Sequence, residues 1–204
     1  MHNLPPVAAE AGELESTRMA HALATDVPRS GVAGLRFSDV TPSPLARLIV
    51  DLDDAVADDL GRVEESVAAA LRHHLKERDL LRGVPCSALS HRYARHLLHA
   101  GIGYSLLALV WRPGQMSSVH GHKTWCVLGV HCGSLTESVL ELGRSGLHLV
   151  RAQQHFPGAV SYSGDGPGSA HRIANLGIET AVSIHIYGVP FDLIGDAVNR
   201  VWAE

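Results

Sequence analysis

The sequence predicts a mainly β fold: a double-sheet antiparallel barrel of jelly-roll type, with two helices packed on its outside. Three observations carry this expectation. From about Tyr93 onward, short apolar segments recur with glycine between them, at the eight-to-twelve-residue spacing of antiparallel strands. Those segments are rich in Val, Ile, Leu and Tyr, which suit a pleated, half-buried surface. Upstream of them, the apolar residues follow the helical period instead of alternating.

Taken in chain order, residues 1–41 are rich in Ala, Pro, Gly and small polar residues and show no sustained period, so a loosely packed, mobile leader is expected there. Helices are expected within 42–80. Ser43-Pro44 is a helix start, a capping hydroxyl followed by a proline whose missing N–H costs nothing in the first turn. Leu45, Leu48, Ile49, Leu52, Val56 and Leu60 then recur at helical spacing, with Asp51, Asp53, Asp54, Asp58 and Asp59 as a wet face. A second helix places Val63, Val67, Ala70, Leu71 and Leu75 on one side. The barrel is expected over about 91–192, from the segments YSLLALVW, WCVLGVH, SLTESVLEL, LHLVRA, GAVSYS, HRIANL and TAVSIHIYG. A chain of 204 residues accommodates one well-cored domain of this kind, so residues 42–204 read as a single unit.

The formal charge of −4 offers no basic footprint for nucleic acid and no polybasic anchor, so the expected partner is a small molecule. No apolar run approaches the roughly 20 residues of a membrane-spanning helix, and the amino end lacks a secretory layout. A cytoplasmic protein is expected. Cys86, Cys126 and Cys132 form no CxxC pair, which argues against a disulfide framework or a cysteine-built zinc site. The compositional excess is in histidine, at 14 residues. For His73, His74, His96 and His99 a solvated face is the plain expectation.

Within WRPGQMSSVHGHKTWCVLG, His120 and His122 stand two apart, so on a strand they project to one face and can chelate a metal. Packed or solvated imidazoles would give the same pattern. The wider frame is Gly114, five residues, His120, one residue, His122, three residues, Cys126, six residues, Gly133. It resembles the first motif of the cupin superfamily, in which a glutamate normally holds the place of Cys126. Downstream, Gly168, two residues, His171, three residues, Asn175 resembles the second motif, with its proline displaced to Pro167. The resemblance implies a metal on His120, His122 and His171. Three neutral ligands leave a divalent ion its full charge, which suits an anionic donor such as a thiolate. Zinc on three histidines and a water is the competing metal.

Trp111, Gly114, Ser117-Ser118, His120, His122, Cys126, Gly133, His171-Arg172 and SIHIYGVPFD together resemble the thiol dioxygenases, most closely the cysteine dioxygenase family, over roughly Tyr93 to Asp192. The resemblance implies Fe(II) as cofactor and a hydrogen-bonded relay of Ser183, His185 and Tyr187 beside it. Spaced two apart, those three side chains share a strand face, and a self-satisfied polar stripe in the core is the alternative. By the same resemblance Arg95 binds the substrate carboxylate in two-point geometry and Tyr93 lines the pocket, while Arg92 and Arg172 are rival arginines and an ordinary surface ion pair is the plain role. Cys126 falls where the animal enzymes carry a cysteine cross-linked to the relay tyrosine, here Tyr187, although one residue fewer separates it from His122. Otherwise it is a small apolar wall residue, and Cys86 and Cys132 look structural.

The implied function is a non-haem iron dioxygenase that adds both atoms of O2 to the thiol of L-cysteine to give cysteine sulfinate. The alternatives are a dioxygenase of another small thiol such as 3-mercaptopropionate, a biosynthetic oxygenase that carries cysteine to a further oxidised or rearranged product, and a non-catalytic metal-binding cupin. Nothing in the sequence fixes an oligomeric state.

Overall fold

The computed structural model describes residues 41–58, 61–144, 146–164, 169–194 and 199–201. The expected leader, except for residue 41, lies outside the described residues, as do Asp59, Leu60, Pro167 and Gly168. The chain is mainly β. Two helices, α1 (Pro44–Ala57) and α2 (Val63–His74), precede ten strands: β1 (Ala94–Ala100), β2 (Ser105–Trp111), β3 (His120–His122), β4 (Cys126–Cys132), β5 (Leu135–Gly143), β6 (Gly146–His155), β7 (Val160–Ser163), β8 (Ser169–Ala174), β9 (Ala181–Tyr187) and β10 (Asn199–Val201). One sheet has the order β1-β2-β9-β4-β7 and the other β10-β3-β8-β5-β6, with antiparallel neighbours throughout. β10 continues the second sheet beyond Asp192, where the barrel was expected to end.

α1 starts as its sequence requires. The Ser43 hydroxyl accepts from the Ala46 N–H at 3.1 Å, and Pro44 opens the first turn; such a cap contributes about 0.5–2 kcal/mol. In α2, Glu64 and Glu65 in the first turn and Arg72, His73 and His74 in the last oppose the helix dipole.

The middle of the first sheet, β2, β9 and β4, is buried on both faces, which explains why β2 reads as an unbroken apolar run. Leu106, Ala108, Val127, Ile184 and Ile186 point outward and pack against Leu48, Leu52, Val67, Leu71 and Leu75 of the helical layer. Leu107, Leu109, Trp111, Cys126, Leu128 and Val130 point inward and meet Leu135 and Ile173 of the opposite sheet. Fully burying each Leu, Ile or Val stabilises by about 1.5–3 kcal/mol, so this alternation is what fixes the strand register. At Gly129 the helical layer presses on bare backbone: a Cβ there would lie 2.6 Å from Leu75 Cδ1 and 2.8 Å from Leu71 Cδ2.

Two expectations about the helical layer need correction. His74 is not solvated but buried, with Nε2 2.8 Å from Asp51 Oδ2 and Nδ1 2.6 Å from Glu77 Oε1. The acidic face of α1 is correspondingly more than a wet surface, because Asp51 bonds His74 and Asp53 accepts from the buried Tyr104 hydroxyl at 2.8 Å. Helical period alone could not reveal this, since both partners come from other elements. No described helix is long and apolar enough to cross a membrane.

Candidate metal centre

β3 is only three residues long, and it brings His120 directly opposite His171 of β8. His122, two residues on, projects to the same side. The rings of His120, His122 and His171 stand 5.2, 4.6 and 4.9 Å apart pairwise, and one ring nitrogen from each lies within 4.8 Å of the other two.

The second nitrogen of each ring is already engaged. His120 Nδ1 lies 3.0 Å from the Ser118 carbonyl, an acceptor only, so Nδ1 carries the proton and Nε2 is a free lone pair. His171 Nδ1 lies 2.8 Å from the Glu137 carboxylate, which assigns its tautomer in the same way. His122 Nδ1 is 3.3 Å from the Ser163 hydroxyl. The Nε2 atoms of His122 and His171 are buried without a hydrogen-bond partner, as expected of nitrogens that await a metal ion. Burial first, and the neighbouring His171 second, hold His120 down to about 3 and His122 to about 2, so both are neutral at physiological pH. A convergent imidazole triad fits a divalent transition metal.

Beside the triad runs the polar stripe of β9. Its outward residues are Ile184 and Ile186; the inward ones are Ser183, His185 and Tyr187, all buried. Ser183 Oγ lies 2.9 Å from His185 Nε2, and His185 Nδ1 lies 3.2 Å from Tyr187 Oη. Trp111 Nε1, which can only donate, reaches Ser183 Oγ at 2.9 Å. The Ser183 proton then has one acceptor among the described residues, His185 Nε2. With the Ser183 hydroxyl donating to His185 Nε2, His185 carries its own proton on Nδ1 and donates it to Tyr187 Oη, which leaves the Tyr187 O–H free to donate elsewhere. Burial lowers His185 to about 3 and holds the Tyr187 hydroxyl well above its ordinary value, so this relay is uncharged.

Arg95 and Tyr93 extend the same wall. Arg95 Nη2 donates to Tyr93 Oη at 2.8 Å, and the Tyr93 ring stacks on Trp111 with 4.2 Å between centroids. Arg95 has no carboxylate partner among the described residues. Its charge reaches the site, where it opposes protonation of His120 and His185. Cys126 is buried in β4 directly opposite Tyr187 of β9, and its thiol is raised by burial. Cys86 is half-buried and Cys132 exposed.

Several site features were not anticipated from the sequence. A cavity of about 150 Å³ adjoins the three histidines on the side of Cys126, Glu137, Arg151 and Ser161, and Arg95 and Tyr93 do not line it. Glu137 is 4 % exposed and bonds His155 Nε2 at 2.9 Å as well as His171. Burial pushes its carboxyl up, but the bonds from His155 and His171 outweigh that and hold it well below the usual carboxylate range. The signal was present in SLTESVLEL, where Leu135, Glu137 and Val139 share a phase and the acid therefore faces the interior. Asn175, noted only as a motif residue, is fully buried and donates to the Trp111 and Glu179 carbonyls, closing the turn after β8.

The chain matches the family model described as cysteine dioxygenase type I over residues 36–199. The chain belongs to the cysteine dioxygenase type I family. It is 31 % identical over 157 residues to cysteine dioxygenase type 1 of Rattus norvegicus, covering 74 % of this chain and 77 % of that protein. With cysteine dioxygenase type 1 of Bos taurus it is 30 % identical over 168 residues, covering 77 % and 80 %. Among solved structures, it is similar to an uncharacterized conserved protein with a double-stranded beta-helix domain from Klebsiella pneumoniae, at 16 % identity and TM-score 0.43, covering 58 % of this chain and 90 % of that one. As a thiol dioxygenase of this family, the protein takes a small thiol and O2.

Proposed function

We propose that this thiol dioxygenase converts L-cysteine to cysteine sulfinate with Fe(II) held by His120, His122 and His171. The observation that carries the reading is the convergence of three imidazole nitrogens beside the buried Tyr187 hydroxyl at the end of the Ser183–His185 relay. When bound, the iron supplies a soft, electrophilic centre for the thiolate and the means to activate O2.

The remaining work falls to the chain. Arg95, whose guanidinium bonds Tyr93, binds the substrate carboxylate in two-point geometry and so sets where the sulfur lies. Tyr93 and the stacked Trp111 ring keep Arg95 from swinging away. Tyr187 donates its hydrogen bond toward the reacting oxygen or sulfur, and His185 and Ser183 fix that direction. The two oxygen atoms of O2 both end on sulfur, and the thiol supplies the electrons, so no external reductant is needed.

Purified protein loaded with Fe(II) should consume O2 in step with sulfinate formed from L-cysteine, and His171→Ala should abolish both. Arg95→Ala should raise KM for L-cysteine far more than the same change at the exposed Arg82. Preferred turnover of 3-mercaptopropionate would move the substrate assignment to a thiol without an amino group. A product other than the sulfinate would move it to a biosynthetic oxygenase.

A further inference from the structure

The ligand set contains no carboxylate, yet one stands a single hydrogen bond further out. In the second sheet, Glu137 of β5 pairs with Ile173 of β8 on one side and with Gln153 of β6 on the other. His171 and His155 are therefore its diagonal neighbours on the two flanking strands, close enough for long side chains to meet. Both do: one oxygen of Glu137 accepts from His171 Nδ1 at 2.8 Å and the other bonds His155 Nε2 at 2.9 Å. Glu137 is 4 % exposed and His155 6 %. Burying an acid in a barrel wall is costly unless it is fully bonded, and a sheet could seat an apolar residue there without loss of fold. Nothing in thiol binding by Arg95 or proton handling by Tyr187 requires it.

We propose that Glu137 and His155 form a positioning pair for His171. Glu137 holds the His171 ring so that Nε2 faces the metal, raises its basicity and returns to the centre, at one remove, the negative charge that the three neutral ligands lack. His155, gripping the second oxygen from β6, fixes the carboxylate rotamer and so the angle at which His171 enters the site. His120 is oriented by a neutral carbonyl and His122 by a hydroxyl. The three ligands are therefore inequivalent, and His171 is the strongest donor.

The pair acts only on a metal at His120, His122 and His171, and so rests on the function proposed above. The test uses metal-free full-length protein titrated with Co(II), following its visible absorption, with affinity measured by competition against a chromogenic chelator. Glu137→Gln keeps the volume, with its carbonyl accepting from His171 and its amide facing His155 Nε2, where the direction of that bond reverses, and it removes the charge. Its affinity should fall several-fold and its absorption bands should shift. Glu137→Leu and His155→Leu remove bonds as well; the former should weaken binding by about 10- to 100-fold and the latter by less. If Glu137→Leu does not fold, Glu137→Gln decides alone, because a merely structural role would leave its spectrum and affinity at wild-type values. Wild-type binding with unchanged Glu137→Gln and Glu137→Leu overturns the pair and leaves the metal site standing. No Co(II) binding by wild type, or binding that survives His171→Ala, overturns the site and the pair together.

Discussion

Cys126 and Tyr187 face one another across the pairing of β4 with β9. Directly opposed residues on antiparallel strands have Cβ atoms about 4.5–5.5 Å apart, and both of these side chains point into the barrel beside the histidines. After aerobic turnover, a thioether between the Cys126 sulfur and the Tyr187 ring should form, with O2 as oxidant. Peptide mapping should recover a joined pair lighter by the thiol and ring hydrogens lost. Separate, unmodified peptides after prolonged turnover would refute it, and Cys126→Ala should retain activity while losing the joined species.

The direction of the relay can be read from variants. Tyr187→Phe removes the donor itself and should lower kcat by about one to two orders of magnitude, with metal content unchanged. Trp111→Phe removes the donor to Ser183 and frees that hydroxyl to reorient. A smaller fall in kcat is expected, since Tyr187 keeps its proton. Equal losses in the two variants would mean that Trp111 acts through packing.

Acid should unfold the metal-free protein through its buried histidines. His120, His122 and His185 sit at about 3, 2 and 3, held there by burial first and the neighbouring His171 second, against an ordinary 6.5. Below 6.5 the unfolded chain binds protons that the folded chain refuses, so stability is whole above that pH and is lost as pH falls toward 3. Each group contributes a slope of up to about 1.4 kcal/mol per pH unit. Urea midpoints should drop steeply between neutral pH and pH 5, and His185→Gln should flatten the slope by about one proton. Bound metal should push the loss to lower pH, and a flat profile in the metal-free protein would contradict the buried neutral histidines.

Gly133 is a second site of strict backbone demand. It has φ +69°, and a Cβ there would come within 2.7 Å of the Ala181 Cα. Gly133→Ala adds the cost of a left-handed alanine to a clash with backbone that cannot move aside, so a loss of roughly 2–4 kcal/mol in chemical denaturation is expected. A loss below about 1 kcal/mol would show that the β4–β5 corner can shift to absorb it.

The barrel was legible because β-structure repeats locally: short apolar segments with glycines between them mark the strands, and alternation in β9 reports which face is which. The histidine frame was legible for the same reason, as was the phase of Ser183, His185 and Tyr187. Glu137 and His155 escaped notice although their phases were visible, because their meeting depends on the register of β5 against β6 and β8, set by residues far apart in the chain. His74 was misplaced on the same account: its partner Asp51 sits on another helix. Arg151 was overlooked because an exposed arginine in a strand gives no local sign that a cavity opens beneath it.

The bare backbone at Gly129 lets α2 rest directly on β4, three residues along the strand from Cys126. The helical layer is thus the outer lining of the catalytic strands, and it hides Leu106, Ala108, Val127, Ile184 and Ile186 from water. A fragment beginning at Tyr93 would carry every residue of the chemistry and still present a bare greasy flank, the kind of surface on which chains clump. Shortening this enzyme from its front is therefore a route to inclusion bodies, and engineers who want a smaller catalyst should trim elsewhere.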